Sequence, residues 1–279
     1  MTRRRLSAAD LHRRSSAGAE PDGRRGVLAS LYGVALTVLT SAAEVLLASD
    51  HDPYVRGSLR RPLVSGWAGP GALAWLATDA EERVPYLMSL GAPAAVAALI
   101  ADLAPELRDR QRVTLPRGTS PLLPAWVGLT GTDWDFRWTA APPPPQPGEA
   151  LVVPVGDDLV ATLLTAASPT ASAQPGDPAV RRWVGVVEHG ALLACAADTS
   201  ATTGVGHLSS IAVLPSTRGR GLGSAVTAAL TRMLLADGCD VVTLGMYADN
   251  TAGRALYDRL GFVDSHRFTS GPLVVRSRW

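Results

Sequence analysis

The stretch from His207 to Ser224, HLSSIAVLPSTRGRGLGS, constrains the fold more than any other part of the chain. Its first half is apolar and β-branched, as in a strand, and Pro215 ends the strand because proline cannot donate to a sheet ladder. Gly219 and Gly221 then permit a tight turn into a helical pattern. The stretch predicts a strand, a glycine-rich turn and a helix whose first N–H groups point at one spot, which suits an anion.

The chain has 279 residues, 47% of them hydrophobic, which is enough for two domains with separate cores. The run of four prolines within residues 141–150 favours a stiff, extended linker. We therefore expect a smaller α/β domain over residues 27–140 and a second α/β (α+β) domain over residues 151–279. Within the first domain, residues 130–139 alternate as a strand that would place Trp134, Phe136 and Trp138 in the core.

The N-terminal region contains two unusual segments. Residues 1–26 carry seven arginines and few apolar residues, so they predict a disordered basic tail. The uncharged segment from Gly26 to Ala43 follows them, as the apolar part of a signal peptide or membrane anchor would. Small and hydroxylic residues dilute this segment, however, and its leucine spacing favours a helix packed on a soluble core. We therefore expect no membrane partner.

Charge and cysteine content narrow the class of protein further. The formal net charge of +1 gives no global attraction to nucleic acid, so we expect no nucleic-acid partner. Cys195 and Cys239 show neither metal-ligand nor disulfide spacing. They predict buried free thiols, no metal site and a reducing, cytoplasmic location. No feature specifies an oligomeric state.

Of the three anion-binding interpretations of the glycine turn, the residues exclude one and disfavour a second. A nucleotide P-loop requires a lysine, and the chain contains none. A dinucleotide-binding fingerprint requires an acidic residue at the end of the following strand, whereas Asp240 lies at its beginning. The third interpretation is the pattern [QR]xxGx[GA] that Arg218 to Gly223 form.

This third pattern resembles the acetyl-CoA loop of the GNAT superfamily of N-acetyltransferases. A second segment, NTAGRALYDRLGF from Asn250 to Phe262, is similar to another signature of the same superfamily. The two lie in the family order, separated by a helix and a strand. The resemblance covers residues 151–276 and implies a mixed, mostly antiparallel sheet with flanking helices. It also implies acetyl-CoA as co-substrate.

The resemblance assigns roles residue by residue. It implies that the backbone of Ile211, Ala212 and Val213 binds the pantetheine arm, and that the Val213 N–H polarises the thioester carbonyl. Tyr257 would protonate the departing thiolate, and Asn250 would both cap a helix and contact the CoA arm. The pyrophosphate would lie on the loop made by Arg218, Gly219, Arg220, Gly221, Leu222, Gly223 and Ser224.

The general base departs from the family pattern. Many relatives carry a glutamate four residues before the backbone triplet, and this chain has His207 there. An imidazole is basic enough near neutral pH to take a proton from an amine. A strand histidine is also compatible with a purely structural role, and Glu188 and His189 are lesser candidates.

We therefore expect an N-acetyltransferase that moves an acetyl group from acetyl-CoA to a primary amine of a small molecule or peptide, by direct attack in a ternary complex. A non-catalytic acyl-CoA sensor and a transferase for longer acyl groups are the alternatives. The first domain has no [QR]xxGx[GA] pattern between Gly26 and Ala140. Its size and element order fit a degenerate copy of the same fold.

Overall fold

The computed structural model describes residues 27–29, 35–78, 85–104, 107 and 110–276, and the predicted basic tail lies outside these residues. The chain forms two compact units. Unit 1 comprises residues 1–134 and 267–279, and unit 2 comprises residues 135–266. The division falls within two long strands, so unit 1 takes both ends of the chain and unit 2 is contiguous.

Unit 1 is an α/β unit built on a mostly antiparallel sheet. Its strands run in the order β1–β2–β3–β4–β5–β6–β14, and β7 also pairs with β14. Among the strands that the structure describes in this unit, only β5 and β6 pair in parallel. The elements are β1 (Val27–Ala29), β2 (Ala35–Leu39), α1 (Ala42–Ala48), α2 (Pro53–Ser58), β3 (Leu63–Gly69), β4 (Ala72–Ala77), β5 (Tyr86–Gly91), α3 (Pro93–Leu103), β6 (Gln111–Pro116), β7 (Val127–Leu129), β8 (Thr132–Thr139) and β14 (Val263–Val275).

The expected helix over residues 26–43 is wrong. Val27–Ala29 pairs antiparallel with Ala35–Leu39, and β2 pairs in turn with β3. Helix α1 begins only at Ala42, where the Ser41 and Glu44 side chains form a capping box. Leu36 and Leu39 are buried in the sheet, so the leucines serve a strand rather than the helix that their spacing favoured.

The core of unit 1 contains an aromatic cluster. The rings of Tyr54 and Phe268 have centroids 4.5 Å apart, and those of Trp134 and Phe268 are 4.9 Å apart. Tyr54 also meets Trp75 edge-on at 5.9 Å. Such tilted and edge-on pairs are favourable aromatic arrangements, and Trp134 packs in this cluster while staying partly exposed. Of the three aromatics predicted for the core, Phe136 is buried and Trp138 is partly exposed.

Unit 2 is a mixed sheet covered on both faces by helices. Its strands run in the order β8–β13–β12–β11–β10–β9. The pairs β9–β10, β10–β11 and β11–β12 are antiparallel, and β12 and β13 are parallel. The predicted mixed, mostly antiparallel sheet with flanking helices is confirmed. The further elements are β9 (Val152–Pro154), α4 (Asp157–Ala167), β10 (Arg182–Glu188), β11 (Ala191–Asp198), β12 (Val205–Val213), α5 (Leu222–Ala236), β13 (Val241–Tyr247) and α6 (Thr251–Arg259).

The two faces of the sheet in unit 2 have separate cores. Helix α5 packs through Val226 and Leu230 on one face, together with Leu244 and Phe262. Helix α4 packs on the other face through residues such as Leu163. Alternate residues of a strand point to opposite faces, so β10 and β11 contribute to both cores.

The compact units have other bounds than the expected domains, 27–140 and 151–279. The proline-rich segment 141–150 lies inside unit 2, where the Arg232 side chain of α5 binds it. Arg232 Nε lies 2.9 Å from Glu149 Oε2, and the same guanidinium donates to the Pro143 carbonyl. Pro143 is buried, whereas the neighbouring prolines are exposed. The segment is thus attached to unit 2 at Pro143 and Glu149.

The two units share an order of elements. In unit 1, the antiparallel strands β3, β4 and β5 precede α3 and a strand parallel to β5; in unit 2, β10, β11 and β12 precede α5 and a strand parallel to β12. The connection into α3 is a single residue, Ala92, and Pro93 at the helix start has no N–H to offer an anion. The repeat supports the interpretation of unit 1 as a degenerate copy.

Candidate functional site

The strands β12 and β13 separate near the middle of β12. They pair in parallel from Val205 with Val241 to Leu208 with Leu244, and the pairing ends there. From Ser209 to Val213, β12 pairs only with β11 on its other side. One edge of β12 therefore faces an opening in the sheet instead of a neighbouring strand.

The register of β11 and β12 shows which backbone groups face this opening. Leu214 N–H donates to Leu193 O at 2.8 Å, and Ala194 pairs opposite Val213. Because successive residues of an antiparallel strand direct their N–H and C=O groups to opposite sides, Val213 directs its N–H away from β11 and toward the opening. The triplet Ile211, Ala212 and Val213 thus lies on this edge.

A bulge in β12 precedes the triplet. The register shifts between Cys195 and Ala197 of β11, and Ser210 adopts a left-handed φ of 48°. The Ser210 hydroxyl accepts from Ala173 N–H at 2.8 Å and donates to Ala173 O at 2.9 Å. These bonds fix the loop after α4 to the bulged strand and offset the cost of the backbone conformation. The sequence carries no signal for this contact, because a strand residue and a loop residue 37 positions apart make it.

The glycine turn opens helix α5 as the sequence predicted. Gly219 and Gly221 have φ values of 83° and 79°, which L-residues rarely adopt, and no side chain caps the helix. Within the described residues, no hydrogen bond is present to the N–H groups of Leu222, Gly223 and Ser224, and the first turn has no acidic residue. Uncapped N–H groups and the positive end of the helix dipole favour an anion here.

Gly223 has a different role in the same loop. A Cβ at this position would lie 3.2 Å from Leu256 Cδ1 and 3.3 Å from Val213 Cγ2. The glycine lets the first turn of α5 approach both the end of β12 and helix α6. The anion turn, the open edge of β12 and the helix that carries Tyr257 therefore meet at one place.

The two arginines of the loop differ in their surroundings. Arg218 is exposed and forms no ion pair among the described residues. Arg220 Nη2 lies 2.6 Å from Glu188 Oε1, and both side chains are close to half exposed. This pairing lowers the pKa of Glu188 and raises that of Arg220. A carboxylate with a lowered pKa is a poor proton acceptor, which argues against Glu188 as the general base.

Tyr257 is the buried side chain of α6. Burial raises the pKa of its hydroxyl to about 12, and the charge of Arg137 opposes this shift. Its ring packs edge-on against Phe262 with centroids 6.0 Å apart. In the part of the chain that the structure describes, no hydrogen bond involves the Tyr257 hydroxyl. At neutral pH this group is a protonated donor.

His207 lies on β12 just before the strands separate. Its Nδ1 is 2.8 Å from Thr243 Oγ1, and the Thr243 hydroxyl donates to Gly206 O at 2.9 Å. A hydroxyl has one proton to give, so Nδ1 of His207 carries a hydrogen and donates to Thr243. Nε2 is then the basic nitrogen. The His207 N–H donates to Ser200 Oγ at 2.9 Å, which fixes the backbone as well.

Asn250 lies at the start of helix α6, as the sequence predicted. Asn250 caps α6, since its Oδ1 accepts from Gly253 N–H at 2.9 Å, and the predicted cap is confirmed. Its amide NH₂ is not needed for the cap.

His189 is exposed in the turn between β10 and β11 with a φ of 49°. Cys195 and Cys239 are free thiols, and burial raises the pKa of Cys195 to about 12, so this thiol is unreactive.

The described ranges contain no group of three or more histidine, cysteine, aspartate or glutamate side chains arranged to hold a metal ion. Among the helices of the described residues, none combines the length and apolarity that crossing a bilayer requires.

Comparison with known proteins gives a family match over this region. The family model described as acetyltransferase (GNAT) family matches residues 133–262, which include the opening, the glycine turn and α6. A curated mycothiol acetyltransferase of Saccharopolyspora erythraea is 46% identical over 59 residues, which are 21% of this chain and 20% of that protein. The match thus spans about a fifth of the length of the curated relative.

Solved structures show the same fold. A GCN5-related N-acetyltransferase from Sphaerobacter thermophilus has a TM-score of 0.51 and 15% identity, covering 87% of this chain and 96% of the other. A structure described as an acetyltransferase of the GNAT family from Novosphingobium aromaticivorans DSM 12444 has a TM-score of 0.50 and 21% identity, covering 85% of this chain and 100% of the other. At these identities the likeness is one of fold.

Proposed function

We propose that this protein is an acyltransferase of the acetyltransferase (GNAT) family, whose model matches residues 133–262, and that it transfers an acetyl group from acetyl-CoA to a primary amine. The acceptor is a small molecule or a peptide, and the amine attacks directly in a ternary complex. One observation carries the proposal. The open edge of β12 and the uncapped start of α5 meet at Gly223. Backbone groups that suit a thioester arm therefore lie next to N–H groups that suit a pyrophosphate.

The residues present fit a CoA thioester. The N–H groups of Leu222, Gly223 and Ser224, with the turn at Gly219 and Gly221, suit a pyrophosphate. Arg218 and Arg220 add positive charge that strengthens such hydrogen bonds. The open edge at Ile211 to Val213 offers backbone donors and acceptors to the amides of the pantetheine arm. Asn250 retains its NH₂ group for a contact with the same arm.

The chemistry follows from the same groups. The amine nitrogen bonds to the thioester carbonyl carbon, the C–S bond breaks, and the amine proton passes to Nε2 of His207 and then to solvent. The Val213 N–H stabilises the negative charge that develops on the carbonyl oxygen. The thiolate sulfur takes a hydrogen bond from Tyr257 and finally a proton from solvent.

The raised pKa of Tyr257 decides how it acts. At about 12 it lies well above the reference of about 8.5 for a thiol. Complete transfer of the phenolic proton to the thiolate would be uphill. Tyr257 therefore contributes as a hydrogen-bond donor that is fully protonated at physiological pH.

Two features support the choice of acyl group and location. The matched relative from S. erythraea is named as an acetyltransferase, which favours acetyl over longer chains. The thiols of Cys195 and Cys239 are free, as expected in a reducing compartment, and we place the protein in the cytoplasm.

Calorimetry and thiol release test this function together. We expect one acetyl-CoA site per chain, because α3 of unit 1 begins at Pro93 without a glycine turn. Mixing the protein, acetyl-CoA and a panel of amino acids, peptides, polyamines, aminoglycosides and the acceptor of mycothiol acetyltransferase should release free thiol with at least one acceptor. If acetyl-CoA binds but no acceptor causes release of free thiol, the protein is a sensor of acyl-CoA and the proposed enzymatic activity is refuted. Faster release from longer acyl-CoAs would refute acetyl transfer, and absence of CoA binding would refute both.

His207→Ala should slow the reaction mainly at acidic pH. Without a base, attack depends on amine that is already deprotonated, which for an α-amine of pKa near 7.8 is about one part in twenty at pH 6.5. We expect kcat/KM to fall about tenfold to twentyfold at pH 6.5 and to approach the wild-type value at pH 9. The measurement is the pH profile of kcat/KM, with His189→Asn as the matched control. An unchanged acidic limb would exclude His207 as the base.

A further inference from the structure

Charged side chains fix helix α6 in addition to its apolar contacts. Tyr257 is the one buried side chain within the helix, and Leu256 packs partly buried against the same core. Two arginines supply the polar contacts. Arg137 comes from strand β8, and Arg254 belongs to the helix itself.

Arg137 is buried and binds carboxylates on both sides. Its Nε lies 2.7 Å from Asp264 Oδ1, and its Nη2 pairs with Asp258 of α6. The side chain is 3% exposed, whereas that of Asp258 is 56% exposed. The guanidinium is therefore the buried member of the network, and its geometry is set by partners rather than by solvent.

The same guanidinium also binds the backbone around Tyr257. Arg137 Nη1 donates to Arg254 O at 3.1 Å, and Nη2 donates to Phe262 O at 3.0 Å. These carbonyls lie three residues before and five residues after Tyr257. A planar guanidinium with donors in a fixed fork can hold two such points at once, which a lysine cannot do.

A second arginine connects the helix to β8 with the roles reversed: the helix supplies the arginine and the strand supplies the carboxylate. Arg254 of α6 pairs with the buried Asp135 of β8, and its Nη1 lies 2.9 Å from Asp264 Oδ2. Strand β8 thus contributes an acid and a base to α6, and α6 contributes a base and an acid to β8. Asp264 joins both arginines. This arrangement fixes both the position of α6 along β8 and its rotation.

We propose that Arg137 is a positioning residue for acyl transfer, which holds helix α6 so that the Tyr257 hydroxyl meets the leaving sulfur. The inference rests on the proposed function of Tyr257 as the donor to the thiolate. A buried ion pair is weak evidence for stability, because desolvation cancels much of the attraction. The contacts to two carbonyls around one catalytic side chain indicate a positional role.

Burial and charge act on Tyr257 in opposite directions. Burial raises the pKa of the hydroxyl and Arg137 lowers it. A more acidic phenol is a stronger donor to a thiolate, so the effect of Arg137 on Tyr257 favours the state with the separated thiolate. Removal of Arg137 should then affect turnover more than cofactor binding.

A double-mutant cycle tests this inference on the full chain. We expect Tyr257→Phe to lower kcat about thirtyfold and Arg137→Met to lower it about tenfold, each with less than a threefold change in the calorimetric Kd of acetyl-CoA. In the Tyr257→Phe background, Arg137→Met should cause less than a twofold further loss of kcat. Arg137→Lys keeps the charge without the fork and should recover about half of the loss on a logarithmic scale.

Control variants separate position from stability. Arg232→Met removes another arginine of unit 2 that binds a carboxylate and a carbonyl, and it should leave kcat unchanged. If Arg137→Met does not fold, the cycle is run with Arg137→Met and Asp258→Asn combined, which removes both charges of the pair.

The outcomes separate the inference from the function on which it rests. Losses that multiply in the double variant would mean that Arg137 does not act through Tyr257 and would overturn the inference, leaving acetyl transfer intact. Wild-type turnover in Tyr257→Phe would overturn it as well. Absence of acetyl-CoA binding by the wild-type protein would refute the proposed function and the inference with it.

Discussion

Replacing Val213 by proline should lower kcat by about a hundredfold or more while the protein still folds. Oxyanion-type donors contribute about 10²–10³ to kcat, and proline removes the one N–H that we place on the thioester carbonyl. The ladder survives, because Val213 directs its N–H away from β11. Proline is tolerated in strands at positions whose N–H makes no ladder bond. Steady-state kinetics with saturating acceptor measure the effect.

Val213→Ala is the matched control for this variant. It keeps the N–H and removes only the side chain, whose Cγ2 contacts the position of Gly223. We expect its kcat to stay within about threefold of wild type, since only a small packing contact is lost. Full turnover by a folded Val213→Pro protein would contradict the assignment of Val213 as the carbonyl donor.

Replacing Gly221 by aspartate should weaken acetyl-CoA binding about a hundredfold. The new carboxylate would stand in the anion turn, where repulsion over a few ångströms costs about 2–3 kcal/mol. A Cβ at Gly221 has open space around it, and Asp tolerates a φ of 79° better than most residues. A carboxylate at a helix start is itself favourable, which offsets the backbone strain. The ligand-free protein should therefore melt near the wild-type temperature.

Thermal shift with acetyl-CoA measures this change directly. At a concentration of 100 times the wild-type Kd, the ligand stabilises the wild type by about 2.7 kcal/mol and the variant by only about 0.4 kcal/mol. Gly221→Asn has the same shape without the charge and should keep most of the shift. Equal losses in both variants would indicate strain instead of charge and would contradict an anion at this turn.

The local elements of unit 2 could be predicted because their signals are short-range. The glycine turn, the Asn250 cap and the strands 182–188 and 191–198 depend on residues close in sequence, and the structure confirms all of them. Helix α5 ends before Gly238, whose φ of 92° marks the termination that the sequence predicted.

The buried charges of β8 could not be predicted in the same way. The alternation of residues 130–139 correctly placed Phe136 in a core, but Asp135 and Arg137 on the opposite face are also buried. Their partners Arg254, Asp258 and Asp264 follow more than a hundred residues later. Only the fold brings these charges together, so the strand pattern alone offered no signal for them.

The compact units differ in their bounds from the expected domains for a related reason. Proline-rich composition indicates an extended backbone but not whether that backbone packs, and Arg232 supplies the partner for residues 143 and 149. In the same way, the leucine spacing before Ala42 did not distinguish a helix from the paired strands β1 and β2.

Unit 1 combines residues 1–134 with residues 267–279, so it can be completed only after unit 2 has been synthesised. Strand β6 pairs with β14 from Gln111 with Leu273 to Pro116 with Phe268. A ribosome that has released residues 1–134 has therefore not yet made the strand that covers this edge, whereas the contiguous residues 135–266 emerge as a complete unit. Unpaired strand edges invite aggregation. A nascent chain stalled before residue 267 should accordingly require a chaperone for its first half, although that half was synthesised first.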